Sequence, residues 1–417
     1  MQKYLVSVLL KMTTVIIKSD TLTWYIPVTI NVPVIKSCTL LVVSLGCEPA
    51  NFPNFHRKLS SVQLVIRVII WHDQPHALRA FPDVLLNFND HKMKVTAYSI
   101  KACEKEFITR ANNKAHDITL ISNRLTVDTI SYAKGKDAVL VFPGDDLSEQ
   151  ILLDLKLMGV KYIVTRSTST DHINLQAAES LGLLVANIPS YSPESVAEHA
   201  LALMLALSRN ILIAHYQMLD YDFSLDRLVG TTIRHKIVGV VGLGQTGRAV
   251  VEILKGFGCR ILVADIRDVA DECKEIGVQK VELGVLFNES DIITFHVPLT
   301  KDTRHMVNAK SISKMKNGVM LINVSRGAVF KSIDVYNALQ QDKISKLGMD
   351  VYEFESHVFY FNHKSRPVDD QLLNALIEHP NVLLTPHEAF LTKEALEIVA
   401  KRTIQNLNQF HGEGGKS

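Results

Sequence analysis

The sequence predicts an α/β protein of two doubly wound parallel domains, one inserted within the other. Three observations predict it. From Met93 onward, short apolar runs alternate with helical stretches, as parallel sheets with crossover helices require. Residues 237–265 form one unbroken unit of strand, glycine turn, helix and second strand. A last helical stretch, from about 392 to 410, follows the final strand and is expected to pack back on the first domain.

The first 92 residues differ in kind. They carry nine of the 45 basic residues and five of the 43 acidic ones, so this segment is +4 and the remainder −2. Both tryptophans, Trp24 and Trp71, fall here, with β-branched runs at 13–17, 40–43 and 64–70 that show no clear alternation or turn pattern. Lys11 interrupts what would be a signal-peptide core, and the Leu45, Gly46, Cys47 sequence matches a lipoprotein signal poorly. At Met93 the texture changes to MKVTAYS, which reads as a first strand. The functional unit is therefore expected to begin near Met93, with 1–92 an extension of unknown role or a mis-assigned start.

Candidate strands follow at 94–99, 138–142, 162–165 and 184–187. A long helix then opens at Ser192, Pro193 and Glu194: an N-cap hydroxyl, a proline suited to the first turn, and an acid at the positive end. From 197 to 208 it is apolar nearly all round, so burial is expected. After the glycine turn, strands are expected near 280–281, 292–296, 319–324, 347–351 and 382–385. Six parallel strands with their crossovers make a complete doubly wound sheet, and the ligand should lie in the cleft between the domains, outside the strand C-termini.

The glycine turn has the parts a dinucleotide site needs. Gly242 allows the tight turn, Gly244 lets backbone approach a pyrophosphate, and Gly247 lets helix and strand pack closely. The helix N-terminus then faces the phosphates with free N–H groups and partial positive charge. Asp265, 18 residues past Gly247, can accept hydrogen bonds from both ribose hydroxyls and would repel a 2′-phosphate, which favours NAD over NADP. A lone G-x-G-x-x-G can be no more than a turn; here strand, helix and spaced acid accompany it.

Composition excludes several classes. A chain of 417 residues suits two or three domains, and its net charge of +2 supplies no basic field for nucleic acid. The five cysteines (Cys38, Cys47, Cys103, Cys259, Cys273) form no C-x-x-C pair and no metal spacing, so no metal is expected and a reducing cytoplasm is the simplest reading. No apolar run reaches the roughly 18 residues that span a membrane.

Three charged or titratable residues sit just past candidate strands. Arg326 follows LINVS, Glu355 follows GMDVYEF, and His387 follows VLLTP. Taken singly, each has a plain alternative: a surface cation, a loop acid, one histidine among 16. Together they make a consistent acid–base set beside a nucleotide pocket.

From Met93 to about Phe410 the chain resembles the D-isomer-specific 2-hydroxyacid dehydrogenases, and most closely their D-lactate dehydrogenase branch. The segments that carry the resemblance are 166–174 (RSTSTDHIN), 187–199 (NIPSYSPESVAEH), the glycine turn, 296–300 (HVPLT), 323–328 (NVSRGA), 348–355 (GMDVYEFE) and 385–390 (TPHEAF). It implies two Rossmann-like doubly wound domains. The NAD-binding domain, 193–391, is inserted into a flavodoxin-like substrate domain made of 93–192 and the C-terminal helix 392–417. It also implies a homodimer formed through the nucleotide domains.

The resemblance makes Arg326, Glu355 and His387 the catalytic trio. Hydride transfer to the carbonyl carbon of a 2-oxo acid needs a proton for the developing alkoxide. His387 is the donor, Glu355 holds the other ring nitrogen, and Arg326 offers a planar fork to the substrate carboxylate. Gln245, Thr246, Asp265, Val297 and Pro298 are implied to touch the cofactor, with Val324, Ser325 and Asp350 around the nicotinamide and its ribose. Thr303 matches a less uniform cofactor contact. Tyr191 and the backbone of Thr168 and Ser169 are implied to bound the substrate. Plain readings stand beside three of these expectations: Pro298 as a strand end, Tyr191 as hinge packing, and His199 as a buried helix residue rather than a catalyst.

The chain also departs from the family pattern. Ser169 replaces a usual Gly beside the substrate carboxylate, His235 a common Gly, Val324 a frequent Thr, and Lys331 a usual acid. The 32-residue interval from Glu355 to His387, with its aromatic run at 357–361, matches the longer lactate-type loop. Only 30 residues follow His387, which argues against a phosphoglycerate-type regulatory domain. The expected activity is NADH-dependent reduction of a 2-oxo acid, pyruvate to D-lactate first among them. An NAD-sensing binding protein of the corepressor type is the alternative, since those relatives keep the same trio.

Overall fold

Apolar runs of four to six residues form the central strands of two parallel sheets. The computed structural model describes residues 92–414, together with four strands at Leu41–Leu45, Leu64–Ile70, Arg79–Ala80 and Val84–Leu86. Those four form an antiparallel sheet in a unit of their own, Met1–His91, with Leu64–Ile70 paired to each of the other three. The run at 13–17, both tryptophans, Cys38 and Cys47 lie outside the described residues.

The first parallel sheet has five strands in the order Asp117–Leu120, Lys94–Ala97, Ala138–Val141, Tyr162–Thr165 and Leu184–Ala186. Ala138–Val141 and Tyr162–Thr165 are buried throughout, as central parallel strands covered on both faces should be. The sequence reading found four of the five. Asp117–Leu120 escaped because it is an edge strand with alternating exposed and half-buried residues and no apolar run.

The second sheet has seven strands rather than the expected six. Its order is Gln279–Lys280, Arg260–Ala264, Ile237–Val241, Ile292–Phe295, Val319–Asn323, Ile344–Met349 and Val382–Leu384, all parallel. All seven segments were expected as strands, the two short, partly exposed edges Gln279–Lys280 and Val382–Leu384 among them, so only the total of six was wrong. Strand order reverses between Ile237–Val241 and Ile292–Phe295, so the crevice of an open doubly wound sheet falls at the end of Ile237–Val241. The glycine turn begins there.

The helix Pro193–Ser208 carries the chain from the first sheet to the second. The Ser192 hydroxyl accepts from the Ser195 N–H at 3.3 Å and Pro193 sits in the first turn. Ala197, Ala200, Leu201, Leu203, Met204 and Leu207 are buried, while Glu194, Glu198 and Ala202 reach solvent, so the helix is covered on most sides rather than on all. The return crossing leads into Lys393–Gly414, which packs on Ala102–Asn112 and Tyr162–Thr165 with Ala400, Ile404, Leu407 and Phe410 buried. Tyr162 and Phe410 stack at 4.6 Å. The hydroxyls of Ser195 and Thr392, 2.8 Å apart, tie the outward crossing to the return. Among the described residues, no single helix is long and apolar enough to cross a membrane.

Candidate active site

The turn after Ile237–Val241 is shaped by close backbone approach. A Cβ on Gly247 would overlap the carbonyl oxygen of Gly242, and Gly242 itself has φ +91° against the His296 carbonyl. At Gly244 nothing lies within 4 Å of where a Cβ would stand. The helix Gln245–Gly256 starts from Gly244 without a side-chain cap, so its first amides face open space. An uncapped helix end above an open glycine fits a dinucleotide pyrophosphate. At the end of the neighbouring strand, Asp265 accepts from the Leu243 N–H at 2.7 Å. Burial alone would raise its pKa, yet hydrogen bonds from Arg267 and from the Leu243 and Arg267 amides hold it below the usual carboxylate range.

Arg326 stands three residues beyond the buried Asn323, whose carboxamide oxygen accepts from the Ser325 N–H (3.0 Å) and hydroxyl (2.8 Å). The Asn323 amide donates to the Arg326 carbonyl at 3.0 Å, which fixes the bend that points the guanidinium toward the first domain. Gly327 packs directly on the backbone of Tyr352 and Glu353, where any Cβ would collide. That contact brings the arginine turn against the segment holding Glu355. The guanidinium donates to the Ser325 carbonyl (2.9 Å) and pairs with Asp171 on the first domain at 3.3 Å.

His387 Nδ1 lies 2.6 Å from Glu355 Oε1, with both side chains about a quarter exposed. The backbone at His387 has φ +57°, a left-handed conformation that costs a non-glycine residue roughly 1–2 kcal/mol. Asp350, fully buried, supplies the restraint. It accepts from the Thr385 hydroxyl (2.6 Å) and from the Glu388 and Ala389 N–H groups (2.8 Å each). His199 adds a contact to Thr385 at 2.9 Å and, being one-fifth exposed and hydrogen-bonded, is not the wholly buried residue expected. Asp350 thus clamps the His387 loop as well as lining the cleft.

Two adjoining cavities, of about 320 and 370 Å³, meet at Thr168, Tyr191, Arg326, His387 and Phe390. The first is also lined by Gly244, Gln245, Thr246, Val297, Pro298 and by Val324, Ser325 and Asp350; the second by Ser169 and Glu355. Gly242, Gly247 and Asp265 are not among the residues lining the two cavities. Thr303 is likewise not among the lining residues; its hydroxyl donates to the Pro298 carbonyl at 2.6 Å and so braces the cleft wall.

The departures from the family pattern find physical places. The Ser169 hydroxyl accepts from the Asp171 N–H at 3.0 Å, turned into its own loop. His235 takes φ +63°, the conformation that makes glycine usual there. Lys331 pairs with Asp334 at 3.2 Å. Val324 is buried against the nucleotide-sheet core.

Three histidines border the cavities: His172, His296 and His387. Burial pushes the His296 imidazole down to about 3 and that of His172 to about 4, so both rings stay neutral at physiological pH. Sequence reasoning named Tyr191 but missed the rest of the aromatic wall of the second cavity. Phe142 meets Tyr360 edge-on at 5.2 Å and Phe390 at 6.1 Å, Tyr191 meets Phe390 at 6.0 Å, and Tyr360 lies 5.9 Å from the His387 ring. The aromatic run at 357–361 was the available signal for one of these four rings. Asp171 and Arg267 were also missed, being ordinary surface charges until the fold pairs them.

Comparison with known proteins gives a consistent result. The family model for the D-isomer specific 2-hydroxyacid dehydrogenase NAD binding domain matches residues 201–389. The D-lactate dehydrogenase of Escherichia coli (strain K12) is 42% identical over 317 residues, covering 76% of this chain and 96% of that protein. An aromatic 2-oxoacid reductase of Clostridium sporogenes is 35% identical over 323 residues, covering 77% and 97%. Among solved structures, the pyruvate reductase of Chlamydomonas reinhardtii superposes with a TM-score of 0.73 at 39% identity, covering 76% of this chain and 96% of that one.

Proposed function

Because the chain belongs to the D-isomer-specific 2-hydroxyacid dehydrogenases, NAD-dependent enzymes that interconvert 2-oxo and 2-hydroxy acids, we propose that it reduces pyruvate to D-lactate with His387 as proton donor. The observation that carries this reading is the 2.6 Å contact of His387 Nδ1 with Glu355, on a cavity wall shared with Arg326 and adjoining the glycine turn.

Bound NADH supplies the hydride that adds to the carbonyl carbon. Arg326 holds the substrate carboxylate in its guanidinium fork, releasing Asp171 as it does so, and the Thr168 and Ser169 backbone closes the other side. With Nδ1 committed to Glu355, His387 Nε2 faces the carbonyl oxygen and delivers the proton as the alkoxide forms. The carboxylate fixes the ring orientation and balances its charge while both nitrogens carry protons. His172 and His296, kept neutral at physiological pH by burial, carry no imidazolium proton to give. Phe142, Tyr360 and Phe390 already pack on one another, an apolar end suited to a methyl group; larger side chains must part the rings.

The test is NADH oxidation with pyruvate, phenylpyruvate, 2-oxoisocaproate and hydroxypyruvate. Pyruvate is expected to show the highest kcat/KM. A higher value for phenylpyruvate moves the assignment to aromatic 2-oxo acids. NADH binding without turnover on any of the four rejects the enzyme reading in favour of an NAD sensor.

The same reading includes a homodimer. Around the helix Ile211–Leu219 an apolar row faces solvent: Tyr216 (62% exposed), Leu219 (61%), Phe223 (67%), Leu225 (80%) and Val229 (90%). So many large apolar side chains within a short stretch are seldom left to water, and a second copy of the chain supplies the matching face. Light scattering is expected to give twice the chain mass. The double variant Tyr216→Glu, Leu219→Glu is expected to give the monomer, and a monomeric wild type at micromolar concentration removes the dimer from the proposal.

A further inference from the structure

The end of the strand Arg260–Ala264 holds more charge than recognition of a ribose diol requires. Asp265 has a side chain only 8% exposed, and both of its oxygens are fully engaged. Oδ1 accepts from the Arg267 backbone N–H at 2.8 Å and from Arg267 Nε at 3.2 Å. Oδ2 accepts from the Leu243 N–H at 2.7 Å and from Arg267 Nη2 at 3.2 Å. A carboxylate offers about four acceptor positions, so none remains for two ribose hydroxyls while the guanidinium stays in place. Ribose binding therefore displaces the Arg267 fork from Asp265.

The displaced guanidinium stays tethered two residues from the carboxylate. Its side chain is 54% exposed, and Nη1 has no partner among the described residues. The neighbouring cation is already committed: Lys280 pairs with Asp268 at 2.9 Å and ties the loop to the edge strand. Arg267, which also donates through Nη2 to the Leu243 carbonyl at 2.9 Å, is thus the positive group beside the 2′-hydroxyl position. A planar fork of this kind pairs with phosphate oxygens through two hydrogen bonds and cancels the repulsion that Asp265 alone would impose.

We propose that Arg267 forms a 2′-phosphate subsite, so that the enzyme accepts NADPH as well as NADH. The reaction is unchanged: the 2-oxo acid gains a hydride at the carbonyl carbon and a proton at its oxygen, and the reduced dinucleotide is oxidised. The inference rests on the reading of the glycine-turn domain as a dinucleotide site and adds to it the second cofactor.

The test begins with calorimetry, using AMP and adenosine 2′,5′-bisphosphate, ligands that differ only in the 2′-phosphate. The wild type is expected to bind the bisphosphate at least as tightly as AMP, and more weakly as salt rises. Arg267→Ala is expected to weaken the bisphosphate about tenfold or more, as loss of a charge-assisted pair does, while AMP binds as tightly or tighter because its ribose no longer competes with the fork for Asp265. Arg267→Lys, which keeps the charge and loses the fork, should fall between. Turnover follows the same pattern: kcat/KM for NADPH drops in Arg267→Ala and that for NADH holds or rises. Bisphosphate binding a hundredfold weaker than AMP in the wild type, or equal losses for both ligands in Arg267→Ala, overturns the subsite alone. Failure of AMP and NADH to bind at all overturns the dinucleotide reading and this inference with it.

Discussion

Replacing His387 by alanine is expected to lower kcat for 2-oxo acid reduction by about 10²–10⁴-fold, the range a positioned general acid contributes. NADH affinity, followed by nicotinamide fluorescence, is expected to survive. The separation follows from where the residue sits. The glycine turn, the uncapped helix and the loop at 296–298 belong to the first cavity and keep their contacts when the imidazole is gone. Asp350 still holds the Glu388 and Ala389 amides, so the loop keeps its course. Glu355 loses its partner but keeps the Tyr352 N–H at 2.8 Å. Wild-type turnover in this variant refutes the assignment, and loss of NADH binding would show that the substitution damaged the domain instead.

Arg326→Lys is expected to lower kcat/KM for the 2-oxo acid by about 10²-fold or more, mostly through KM, because a point charge cannot reproduce a planar two-donor fork at a carboxylate. The guanidinium is aimed by the Asn323 turn and held at the Ser325 carbonyl, whereas a lysine ammonium ends on a flexible stem with no such anchor. Asp171 sharpens the loss. It already pairs with Arg326 at 3.3 Å, so an incoming carboxylate gains only the difference between two carboxylate contacts. With lysine that difference shrinks, since neither partner is gripped through two bonds. Asp171→Asn should lower KM in the wild-type background, and an unaltered KM in the Arg326→Lys enzyme would remove Arg326 from substrate binding.

What was legible in the sequence follows the range over which each signal acts. The glycine turn, the strand-end positions of Arg326 and His387, and the helix start at Ser192 are local patterns, and each is found where its neighbours place it. The edge strand Asp117–Leu120 was not legible because one of its sides is bare and its four residues hold no continuous apolar run. The aromatic wall was hidden for another reason. Phe142, Tyr191, Tyr360 and Phe390 come from four separate segments, and only the packing of the two sheets brings their rings within about 6 Å. Asp350 read as a ligand contact from its motif. Its bonds to the His387 loop appear only when Ile344–Met349 and Val382–Leu384 lie side by side. Arg267 is the opposite case, two residues from Asp265 and overlooked because adjacency alone says nothing of hydrogen-bond saturation.

The hydroxyl pair of Ser195 and Thr392 has a mechanical consequence. Both stretches of chain that join the two halves of the dehydrogenase are fastened at one point, beside the mouth of the cleft. A bond worth about 1 kcal/mol at that one point favours a pivot of the halves there, like covers on a common spine, over a slide of one against the other.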